Sequence, residues 1–238
     1  MNSNPHSTPA DRRLFAAIDA DDDLAAGAAL ADGAHPDALH HFERAYDREQ
    51  IPCKETALHR AVELGRHRIV ELLLRHGADP DGRAAAPAPT PLAVAAARGD
   101  LTAVTSLLDA GASPRRTDDR DDTDPVLAAV GSGRVEVVAT LLRAGAAMPR
   151  VLARAALVGN AELVAFVLDH GADLASEGPV ALCDAANAGH DAVVALLLAR
   201  GVPVDVRNSF DWTPLQLASY QGNTSTAALL QQAGAVPG

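Results

Sequence analysis

The sequence predicts an all-α solenoid of short helix–turn–helix units, and three observations predict it. The first is a recurring frame. Thr56 to Asp79 reads T-A-L-H-R-A-V-E-L-G-R-H-R-I-V-E-L-L-L-R-H-G-A-D, and the frame starts again at Thr90, Asp124, Arg150, Val180 and Thr213. A glycine closes each frame at the same distance: Gly77, Gly111, Gly145, Gly171, Gly201 and Gly234. Self-similarity at such a period marks stacked supersecondary units, none of which can bury its apolar side alone. The second observation is another glycine inside each frame, also in register: Gly65, Gly99, Gly133, Gly159, Gly189 and Gly222. Glycine weakens a helix interior but suits the left-handed residue that ends a helix, so each frame reads as two helices around a turn. The third is an alanine early in each frame: Ala61, Ala95, Ala129, Ala155, Ala185 and Ala218. Its small side chain lets neighbouring first helices approach closely, while leucine pairs such as Leu73-Leu74 and Leu197-Leu198 supply a core seam in the second helices.

Taken in order, residues 1–10 are polar and proline-containing and read as a disordered tail. Residues 11–34 form a degenerate unit, with Leu14, Ala17 and Gly33 at the marker positions. Asp21-Asp22-Asp23 stands there in place of the usual glycine turn, where an aspartate can cap the second helix. A degenerate terminal unit with a polar outer face fits an N-terminal cap. Residues 35–54 are an insertion that the repeat does not predict. Leu39, Phe42 and Tyr46 fall at i, i+3 and i+7, one apolar helical face, so an inserted helix is expected here. Six repeats then fill residues 55–238, and residues 11–238 form a single array.

The T-x-L-H-x-A opening, the paired glycines and the spacing resemble the ankyrin repeat, whose repeat is about 33 residues. Threonine–proline survives at Thr90-Pro91 and Thr213-Pro214, and only His59 keeps the histidine of that motif. The resemblance implies a stack with short β-turn fingers, in which first helices and fingers line a concave protein-binding face. Its fingers would be long at Ala78–Pro89, Ala112–Thr123 and Val202–Trp212, and short at Ala172–Pro179. Only Ala146 to Pro149 lie between Gly145 and Arg150, too few for a finger, which predicts a gap in the finger row.

Composition narrows the function. A net charge of −11 disfavours binding to nucleic acid or to an anionic membrane, and tolerates a basic partner better. No run of apolar residues is long enough for a transmembrane helix. Cys53 and Cys183 have no neighbouring cysteine, so neither a disulfide framework nor a zinc site is indicated, and a cytoplasmic protein with reduced thiols is the simplest reading. His35, His40 and His41 lack chelating spacing, so no metal and no cofactor are expected.

Helical spacing places one residue row of the first helices on the inner wall. On that row Arg154 and Asp184 occupy equivalent positions in neighbouring units, within expected ion-pair reach, with Leu157, Val158 and Asn187 beside them. These five define an alternative site, a mid-array cleft for a small molecule or an enzymatic reaction. The favoured site is aromatic. Phe210, Trp212 and Tyr220 are three of only seven aromatic residues, with Leu217 and Gln221 on the same wall. Trp and Tyr bury large area at small entropic cost and dominate interface hot spots. A third feature, Asp118, Asp119, Asp121, Asp122 and Asp124 among arginines, lacks the glycine and terminal glutamate of a calcium loop and reads as a solvated steering loop. No nucleophile elbow, phosphate-cradling loop or H-E-x-x-H motif occurs. Nothing catalytic is assigned. The expected function is a non-catalytic protein–protein interaction module, a scaffold rather than an enzyme.

Overall fold

The computed structural model describes residues 8–46, 49–82, 89–115, 124–148 and 150–236. Within them the chain runs as seven helix pairs: α1 (Pro9–Ala20) and α2 (Asp23–Ala31), α3 (Ala57–Leu64) and α4 (His67–Arg75), α5 (Pro91–Ala97) and α6 (Leu101–Asp109), α7 (Pro125–Ser132) and α8 (Val135–Arg143), α9 (Leu152–Val158) and α10 (Ala161–Asp169), α11 (Leu174–Ala188) and α12 (Asp191–Ala199), and α13 (Pro214–Gln221) and α14 (Thr224–Gln232). The inter-helix glycines sit at φ between 65° and 80°, the left-handed conformation expected of them. The six alanines in register are fully buried, and so are Leu73, Leu107, Leu141, Val167, Leu197 and Leu230 of the second helices. The chain forms two compact units, residues 1–128 with 143–146, and residues 129–142 with 147–238.

In the first unit the cap starts earlier than expected. Residues 1–7 lie outside the described residues, but Thr8 to Ala10 are not tail. Thr8 and Asp11 form a capping box: Asp11 N–H donates to Thr8 Oγ1 at 3.1 Å and Thr8 N–H to Asp11 Oδ2 at 2.8 Å. Asp11 also accepts from His35 N–H at 2.9 Å. Burial would raise its pKa, yet these bonds from His35 and Thr8 outweigh burial and hold the carboxyl below its usual range. Asp21 takes the left-handed conformation at φ 59° that glycine takes elsewhere, and Asp22 caps α2 through Ala25 N–H.

The insertion is not a helix. Leu39–Tyr46 and Glu49–Thr56 are strands β1 and β2, paired antiparallel from Leu39↔Thr56 to Tyr46↔Glu49. The physical reason lies in where the segment must return. It leaves the cap unit at Ala38 and must deliver Thr56 as the cap of α3, and Ala57 N–H closes the base on Ala38 O at 3.1 Å. A hairpin brings both ends together, whereas a helix would carry them apart and, at this length, is marginal without a packed face. Pro52 is tolerated because each strand of a two-stranded sheet has a free edge.

His59 ties α3 to the segment that leads into α5. Its Nε2–H donates to Pro89 O at 2.7 Å, leaving Nδ1 to accept from the Thr56 hydroxyl at 2.9 Å. The ring is buried, and burial lowers its pKa. First helices α1, α3 and α5 pack in sequence, as do second helices α2, α4 and α6.

In the second unit α9, α11 and α13 pack in sequence, with α10, α12 and α14 behind them. The short finger expected at Ala172–Pro179 is replaced by helix. Asp173 caps it through Ala175 and Ser176 N–H, and α11 begins at Leu174. Pro179 removes one donor, whose acceptor would have been the carbonyl of exposed Ala175, which water can serve. This extra helical segment has a structural use. Val151, before α9, has no capping side chain, and Glu177 Oε2 accepts from Leu152 N–H at 2.7 Å instead. The cap that Thr56, Thr90 and Thr213 supply within their own units is supplied here by the following one.

Candidate protein-binding site

The site is built on the connection before α13. Asn208 organises it. Its Oδ1 accepts from the N–H groups of Phe210 and Trp212, both at 3.0 Å, while its own N–H donates to Trp212 O at 3.0 Å. Asp211 closes the turn at φ 64°, and Arg207 donates to Asp211 O at 2.7 Å and pairs with its carboxylate at 3.1 Å. The backbone beneath the aromatics is thus fixed while their side chains project. Phe210 is 80% exposed and Tyr220 75%, whereas Trp212, at 38%, lies edge-on to Tyr220 with ring centroids 5.4 Å apart. An open groove of about 580 Å³ runs past Phe210 and Trp212 over Leu215, Gln216 and Ser219. Tyr220, Leu217 and Gln221 do not line it, so the aromatic cluster has a groove on one side and the inner wall on the other.

The inner wall carries an amide pair. Gln221 Nε2–H donates to Asn187 Oδ1 at 3.0 Å, joining the C-terminal ends of α11 and α13. Asn223 secures the same junction by donating to Ala186 O and Asn187 O at 3.1 and 2.9 Å. Leu217 is partly buried on this wall.

The alternative cleft does not assemble as expected. The Arg154 guanidinium lies over Gly131, where a Cβ would sit 3.0 Å from Nη2, and among the described residues no ion pair joins it to Asp184. Asp184 is half-buried and burial raises its pKa, the opposite of what a paired arginine would do. Leu157 and Val158 are 51% and 36% exposed rather than walls of an enclosed pocket. His190 is held structurally as well. Its Nε2 bonds Leu157 O at 3.1 Å, and its ring covers Gly159, at φ 80°, so closely that a Cβ there would fall 2.5 Å from it. Cys183 is buried against Trp212 O, and burial, with the Asp184 charge adding, pushes its thiol up to about 11, which makes it unreactive. Of the acidic loop, Asp118, Asp119, Asp121 and Asp122 lie outside the described residues. Asp124 is buried and caps α7 through Val126 and Leu127 N–H.

Comparisons with known proteins agree with the repeat fold. Family models described as ankyrin repeats match residues 53–84, 92–142 and 151–238. Cyclin-dependent kinase inhibitor 2A of Monodelphis domestica is 32% identical over 145 residues, which cover 59% of this chain and 68% of that protein. The chain belongs to the ankyrin repeat family. The crystal structure of the human ASB11 ankyrin repeat domain superposes with a TM-score of 0.75 at 23% identity, over 97% of this chain and 100% of that one, which shows the shared fold. Ankyrin repeats are generally protein–protein interaction modules. No helix among the described residues is long and apolar enough to cross a membrane.

Within this ankyrin fold, sequence reasoning found the aromatic residues but missed the device that presents them. Arg207, Asn208 and Asp211 were readable only as turn-forming residues between units. Glu177 was hidden because its helical segment had been assigned to a finger.

Proposed function

We propose that this chain is a non-catalytic protein–protein interaction module that works in the cytoplasm. Its partner docks on Phe210, Trp212 and Tyr220, and extends onto Leu217 and Gln221 of the inner wall. The observation that carries this reading is a cluster of exposed aromatic rings, Phe210 and Tyr220, around a turn in which Asn208 holds the backbone of Phe210 and Trp212. Large rings that are already positioned lose little entropy on binding, which is what an interface anchor needs. A relative named as a kinase inhibitor supports a partner that is itself a protein. The test is affinity capture with the whole chain beside a Phe210→Ala/Trp212→Ala variant, followed by titration of the purified captured protein. A stoichiometric partner whose affinity falls at least roughly a hundredfold in the variant is expected, since each hot-spot truncation costs about 2 kcal/mol or more. A partner that binds both forms equally would move the interface elsewhere.

A further inference from the structure

Asp184 stands on the same wall as the amide pair, one helical turn before Asn187 on α11, so the two side chains share a face. It is half-buried and makes no ion pair or hydrogen bond among the described residues. The cation in register with it, Arg154, is turned onto Gly131. A carboxylate drawn out of bulk water without a counter-charge costs the free protein stability, and an arriving cation offsets that cost. Exposed Tyr220 adjoins Gln221, with Trp212 edge-on to it, and aromatic faces attract cations further. The amide pair spends one donor and one acceptor on itself and retains others, which suit the N–H and C=O of a passing main chain.

We propose that this wall receives a basic, extended segment of the partner protein: an arginine or lysine side chain against Asp184, its stem beside Tyr220, and its backbone on the Asn187–Gln221 pair. The inference rests on the protein-binding reading above and names the chemistry of what is bound. The net charge of −11 is complementary to such a segment.

The test titrates the isotope-labelled full chain with a short alanine peptide carrying one central arginine, and with its twin carrying uncharged citrulline. The amide resonances of Asp184, Asn187, Tyr220 and Gln221 shift with the arginine peptide and stay in place with citrulline. Asp184→Asn weakens the arginine peptide roughly tenfold, as loss of a charged hydrogen bond does, with an unchanged far-ultraviolet spectrum. Equal shifts from both peptides, equal binding by the Asn variant, absent shifts, or shifts confined to Asp21–Asp23 each overturn the inference. A captured partner lost with Phe210→Ala/Trp212→Ala but retained at full affinity by Asp184→Asn would overturn it too, and would leave the protein-binding reading standing.

Discussion

Glu177 shows how a single residue can replace a missing motif. The frame at Arg150 lacks the threonine that begins the frames at Thr56, Thr90 and Thr213, so α9 starts without a cap of its own. A carboxylate from the following unit takes the orphan Leu152 N–H, deep enough that Glu177 is only 8% exposed. Truncation would leave a buried donor unsatisfied. Glu177→Ala is therefore expected to lower unfolding stability by about 1–3 kcal/mol, and Glu177→Gln, which keeps an acceptor, by less. Urea titrations of the three proteins check this. His59 makes a second residue-scale prediction. Burial lowers its folded pKa below the usual 6.5, so the native state favours the neutral ring. Protonation then favours the unfolded chain. The contribution of His59 is fully present above pH 6.5 and is lost as the pH falls through the folded value. The difference in urea midpoint between wild type and His59→Gln should shrink on going from pH 7.5 to pH 5. A constant difference would mean that the ring is not selectively neutral in the fold.

At the scale of elements, the helix pairs were legible because several independent signals agreed. The glycine between helices, the early alanine and the closing glycine recur in register, and each has a local physical cause. What failed was periodicity read over a short segment. Leu39, Phe42 and Tyr46 fit a helical face, but three points in eight residues do not distinguish helix from strand, and the closure between Ala38 and Ala57 decided for β1 and β2. Pro179 misled in the other direction, since proline usually ends a helix, yet here its lost bond falls on an exposed carbonyl in the first turns of α11. At the candidate site the aromatic cluster was visible as composition. The Asn208 turn and the Asn187–Gln221 contact were not, because they depend on geometry between residues without a motif. The hairpin carries its own prediction. A two-stranded sheet alone is marginal in water. Strand amides of 39–46 and 49–56 should therefore exchange with solvent faster than those of α3, which is packed between α1 and α5. Hydrogen exchange read by nuclear magnetic resonance decides it, and equal protection would show that the hairpin is braced by more than its own pairing.

At the scale of the whole molecule, a core of alanine, leucine and valine explains how short helices stack with so few aromatic residues. Aromatic side chains are largely released from packing, which is why Phe210 and Tyr220 can be spent on the surface. Charge is distributed as broadly as the repeats, with acidic residues in excess in both compact units. Such a field acts on the approach of a partner more than on the final complex. If the partner segment is basic, the association rate should fall by about an order of magnitude as salt rises from roughly 0.01 M to 0.15 M, where the screening length drops from about 30 Å to about 8 Å. The dissociation rate should change little, because the aromatic contacts that hold the complex are not screened. Stopped-flow mixing with the captured partner separates the two rates. An association rate indifferent to salt would mean that the −11 charge keeps the protein soluble without steering its partner, and the choice of partner would then rest on the aromatic anchors alone.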